Sequence, residues 1–124
     1  MFAPEPIGAT RIAASPAALD ALALPAGVPA LRLAPDELLL LGDVDLAPDD
    51  PDAIVVPDAG WAGAWLDVPV AAELLARHAE WRPPPEGLAQ GAVAGVPVKV
   101  LVTAERTLVL VPLPFAAELA ERVA

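Results

Sequence analysis

The chain has 124 residues, with 7 Lys and Arg against 17 Asp and Glu for a formal net charge of −10, and 56% of its residues are apolar. That balance excludes wholesale disorder and leaves room for one domain with a core of its own. The bases Arg11, Arg32, Arg77, Arg82, Lys99, Arg106 and Arg122 are scattered, which argues against nucleic acid and anionic membrane surfaces as partners, and the absence of Cys excludes disulfides, thiolate zinc sites and thiol nucleophiles.

Residues Met1 to Thr10 carry prolines and no periodicity and read as a leader. Glu5 stands where a secretory signal needs bases, and Asp20 interrupts the next apolar stretch, so the expected address is the cytoplasm. Ser15-Pro16 predicts the cap and first position of a short helix that stops near Pro25 and Gly27. Ala30 to Leu33 and Leu38 to Leu41 flank the turn Ala34-Pro35-Asp36-Glu37 and predict a hairpin, followed by an exposed acidic loop over residues 43–52.

Ala53 to Val56 reads as a short strand closed by Pro57-Asp58. Gly60 to Asp67 reads as another, with Trp61, Gly63 and Trp65 on one face and Ala62, Ala64 and Leu66 on the other. Val70, Ala71, Leu74, Leu75, His78 and Ala79 form the stripe of an amphipathic helix, with Glu73 and Arg77 paired on its solvent side, and Pro83-Pro84-Pro85 stops it. A single strand is predicted from Gly91 to Leu101, then a turn at Thr103 to Arg106, a doubly buried strand from Thr107 to Val111, and a last helix introduced by Pro114 with Phe115, Leu119 and Val123 on its stripe.

From Gly60 onward this order predicts an α+β fold: a ferredoxin-like split β-α-β sheet lacking its last strand, with helices on one face and an extra N-terminal hairpin and short helix. An upstream strand, either Leu38 to Leu41 or Ala53 to Val56, is expected to fill the closing position. The domain reading is a leader with a short helix over residues 1–28 and one α+β domain over residues 29–124.

Leu31-Arg32-Leu33-Ala34-Pro35-Asp36-Glu37-Leu38-Leu39-Leu40 resembles the L-G-P-D-E-W-L-L hairpin of the sarcosine oxidase gamma subunit family. Ala72 to His78, Gly87 to Gly91, Val93 to Val100 and Phe115 to Leu119 resemble that family's helix, its Q-x-x-V-A-G-V strand and its closing F-A-x-x-L helix. Leu38 stands where the family has Trp. The resemblance implies a fold similar to the folate-binding domain of the glycine-cleavage aminomethyltransferase. It also implies a small subunit in a flavoenzyme that oxidises an N-methyl amine, with FAD, FMN, NAD and folate held by larger partner subunits and none by this chain. It carries no catalytic or folate-contacting residue onto this sequence.

The residues themselves leave alternatives open. His78 reads as a packed histidine rather than a base, because no second His, Cys or suitable Ser accompanies it. Trp61, Trp65 and Trp81 read either as core or as partner-binding side chains. The ten acids between Arg32 and Arg77, with no base among them, mark either a solvated loop or a surface for a basic partner; their spacing does not follow a calcium loop. Two functions follow: a non-catalytic subunit acting in assembly, pairing with itself as a homodimer if isolated, or a stand-alone folate-type small-molecule binder.

Overall fold

The computed structural model describes residues 2–124. Among the described residues there are seven strands and three α-helices: β1 (Glu5–Ala13), α1 (Pro16–Asp20), β2 (Ala30–Ala34), β3 (Glu37–Leu41), β4 (Ile54–Asp67), α2 (Val68–His78), β5 (Gly87–Val93), β6 (Val96–Val102), β7 (Arg106–Pro112) and α3 (Ala116–Arg122). The α+β composition is as expected. The chain divides into two compact units, Ile7–Ala59 and Gly60–Ala124 with the residues up to Pro6.

In the Ile7–Ala59 unit the strand order is β2-β3-β1, all antiparallel. Residues 5–13 are not a leader but a strand, whose Ala9 to Ala13 pair with Leu41 to Glu37. The predicted hairpin is present, with a bulge between Arg32 and Ala34. Arg32 spans the bulge by donating to the carbonyls of Ala34 and Pro35, and its guanidinium reaches Asp20 at 3.0 Å. Helix α1 starts as the sequence predicts, its Ser15 hydroxyl accepting from Ala18 N at 3.2 Å. With Ala18 and Leu19 it covers Ile12, Leu38 and Leu40, the core of this unit.

The acidic loop is irregular, as predicted, but it is tethered. Asp50 accepts the Ser15 N–H at 2.7 Å and the Asp52 N–H at 2.9 Å. Those two donors, Ser15 first, stabilise the ionised carboxylate and hold its pKa below the ordinary value.

In the Gly60–Ala124 unit the order is β4-β7-β6-β5, and every described pairing is antiparallel. This corrects the ferredoxin-like split. That unit needs parallel strands joined through a helix, whereas β4 and β5, the strands flanking α2, run in opposite directions. The cause is local. The expected single strand is a hairpin, β5 and β6, turned by Ala94 and Gly95 with φ of 49° and 81°, the two left-handed positions of a tight hairpin turn. Nor do the upstream strands close this sheet as expected. Leu38 to Leu41 is flanked on both sides by β2 and β1 within its own unit, and Ile54 to Val56 is the start of the continuous 14-residue strand β4.

Both helices of this unit pack on one face of its sheet, as expected: Leu75 of α2 and Leu119 of α3 join Ala62, Val98, Val100, Val109 and Val111 in one buried cluster. The helix stripe is narrower than predicted. Ala71 and Leu75 are buried, whereas Val70 is 47% exposed and Phe115, expected on the last stripe, is 42% exposed. A 3-10 turn at Leu113–Phe115 precedes α3 and moves Phe115 off its inner face.

Two outcomes follow from these local geometries. Gly95→Ala puts a side chain on a left-handed residue with Arg122 Nη1 3.1 Å from the new methyl. It should lower the stability measured by denaturant titration by about 1–2 kcal/mol without changing the slope. Asp50→Asn should destabilise the protein at neutral pH. Because the folded pKa is depressed, the stabilisation is present above the ordinary carboxylate range and lost as pH falls through the lowered value, so the wild-type and variant unfolding curves should converge in acid.

Candidate functional site

The three tryptophans do not gather in one place. Trp61 and Trp65 share a face of β4, as predicted, opposite Pro112 and Leu108 of β7. Both are half-buried. The Arg106 guanidinium lies 4.3 Å from the centre of the Trp65 ring, a cation–π contact. Trp81 lies on the other face, packed with the helix-side cluster. Its indole Nε1 donates to the Ala92 carbonyl at 2.8 Å, on the outer strand β5. The ring sits over Gly91 so closely that a methyl there would come within 2.6 Å of it. Glycine at 91 is therefore what admits the indole.

Around Trp81 the surface opens into a notch of about 580 Å³, walled by Ala72, Leu75 and Ala76 of α2, by Ala79 just after it, and by Trp81 and Pro83, with Glu80 and Arg82 as its charged side chains. A smaller depression of about 180 Å³ shares Ala72, Leu75 and Pro83 with it and continues along Pro84 and Pro85. The sequence reading did not anticipate this notch. Its signal is Ala72 and Ala76 at i, i+4, a helix side too small to fill the space beside Trp81 and Pro83.

His78 is half-buried in a shallow recess of about 200 Å³ with Phe2, Leu74 and Val123, next to the Glu73–Arg77 ion pair at 2.9 Å. Its backbone carbonyl accepts from Ala94 N at 2.7 Å. Ser15, the single serine, has its hydroxyl engaged at the start of α1. Among the described residues no three His, Cys, Asp or Glu side chains come together to hold a metal, and every buried side-chain N or O atom has a hydrogen-bond partner. No helix of the described residues is long and apolar enough to cross a membrane.

The two units define a class: an α+β chain of antiparallel strands and short helices in which Ser15, Arg32, Asp50 and Arg122 hold turns and caps. Among solved structures it is similar to a chain of the heterotetrameric sarcosine oxidase from Corynebacterium sp. U-96 in complex with pyrrole 2-carboxylate, with a TM-score of 0.72 at 18% identity over 99% of this chain and 80% of that one. The likeness is one of fold. No protein-family model matches the chain, and no curated protein matches it.

The Trp81 contact is checked by Gly91→Ala. Displacing the indole breaks its bond to Ala92 and should shift tryptophan emission to the red. The stability loss should be about 1–3 kcal/mol by denaturant titration.

Proposed function

We propose that this chain is a non-catalytic, gamma-like small subunit of a multi-subunit flavoenzyme that oxidises sarcosine or a related N-methyl amine, and that it acts in assembly. One observation carries the reading. The fold likeness to a chain of a heterotetrameric sarcosine oxidase spans nearly the whole of this chain and four fifths of that one. The engagement of Ser15, Asp50, Trp81 and Arg122 in structural contacts supports a role in shape rather than in chemistry.

FAD, FMN, NAD and folate belong, in this proposal, to the larger subunits. Two observations support placing these groups outside this chain. The N-terminus of α2 carries Val68-Pro69-Val70 rather than the glycine-rich turn that admits a phosphate, and the notch brings only Glu80 and Arg82 as charged side chains. Trp61, Trp65 and Trp81 remain the proposed partner-binding side chains. Because they lie on opposite faces of the sheet, a partner would reach them from two sides.

A stand-alone folate-type binder has one observation in its favour: a notch of about 580 Å³ lies within the range of small-molecule sites and has an indole in its wall. Its walls bring few convergent polar groups, so the subunit reading is preferred.

Co-expression with the larger subunits of a sarcosine-oxidising flavoenzyme should give a complex that co-elutes in size-exclusion chromatography. Titrating the isolated chain with folates should leave Trp81 emission unchanged. A chain that stays monomeric beside every candidate subunit, or one that binds a folate alone, would overturn the proposal.

A further inference from the structure

Strand β4 begins with three consecutive β-branched residues, and none of them is covered. Ile54 is 58% exposed, Val55 38% and Val56 42%. Successive strand residues point to opposite faces, so a half-buried strand alternates between covered and open, and a continuous β-branched run ordinarily marks burial on both faces. Here both faces of the run meet solvent. An apolar strip of this kind on an otherwise acidic surface marks an interaction site.

The surroundings say what covers it. Asp49 and Asp52 shortly precede the strip in the chain, and beyond it Asp43 lines a shallow depression with Pro57. The unit that holds the strip contains only two bases, and both are committed. Arg11 pairs with Glu37 and reaches Asp58 at 4.0 Å, and Arg32 pairs with Asp20. Among the described residues no base forms an ion pair with Asp43, Asp45, Asp49 or Asp52. An apolar centre with an uncompensated acidic rim repels anionic lipid headgroups and nucleic acid and complements a protein surface of opposite pattern.

We infer that Ile54, Val55 and Val56 form a docking strip for a partner protein that presents an aliphatic centre rimmed by Lys and Arg. This deepens the subunit proposal and rests on it. The partner is one of the larger subunits, and the strip is where it is held.

The test uses the complex of the full chain with co-expressed larger subunits. Hydrogen exchange of the wild-type complex should slow at residues 54–56 relative to the free chain. Ile54→Lys with Val56→Lys should weaken association by at least about tenfold, while Val70→Lys, at an equally exposed apolar position on α2, leaves it unchanged. Raising ionic strength should weaken wild-type association, and Asp→Asn at 43, 45, 49 and 52 should remove most of that dependence. A complex that forms without protection at 54–56 overturns the strip and leaves the subunit proposal standing. The exchange measurement decides this even if the lysine variant fails to fold. Absence of any complex overturns both.

Discussion

Burial of β7 on both faces is the constraint on which the Gly60–Ala124 unit depends. Leu108, Val109, Leu110 and Val111 are fully excluded from solvent and Thr107 nearly so. Each such aliphatic side chain contributes about 1.5–3 kcal/mol when removed from water, so this one strand outweighs any surface contact in the unit. Its position between β4 and β6 follows directly, because a strand with no polar face cannot stand at an edge. Helices α2 and α3 are placed by the same requirement, since Leu75 and Leu119 cover the face bearing Val109 and Val111.

The alanine-rich composition decides what the helices can do beyond that. Alanine buries little area, so α2 anchors itself through Leu75 and leaves space along Ala72 and Ala76 that Trp81 and the prolines only partly fill. Polar side chains serve the turns: Arg122 donates to the Ala94 carbonyl across the β5–β6 turn, Thr10 ties β1 to Gly42 and Val44, and Asp50 fastens the acidic loop to the start of α1. These contacts fix the turns and the loop from side chains that lie far apart in sequence.

Legibility in the sequence followed the strength of local signals. The hairpin over Ala30 to Leu41, α1 with its serine cap, α2 with its Glu73–Arg77 pair, and the buried run of β7 were readable because propensity and periodicity agree with the tertiary environment there. Strand β1 was not, because its Pro6 and Gly8 mimic the punctuation of a leader. Pro57 likewise suggested an end within β4, yet β4 continues through it. The β5–β6 hairpin was hidden by Ala94. The chain contains no Asn, and without the usual Asn-Gly pair the turn looked like two more residues of one alternating strand. Of the candidate site, the shared face of Trp61 and Trp65 was legible from period two, but the placement of Trp81 over Gly91 depends on a contact ten residues apart that no short pattern encodes.

The indole of Trp81 spends its one donor on a carbonyl of the outermost strand of its sheet. A free backbone acceptor at such a margin is a template on which another chain can add itself, so the same side chain that roofs the notch also stoppers one socket for end-to-end growth. The covering of that strand margin and the shape of the notch are thereby tied to a single ring.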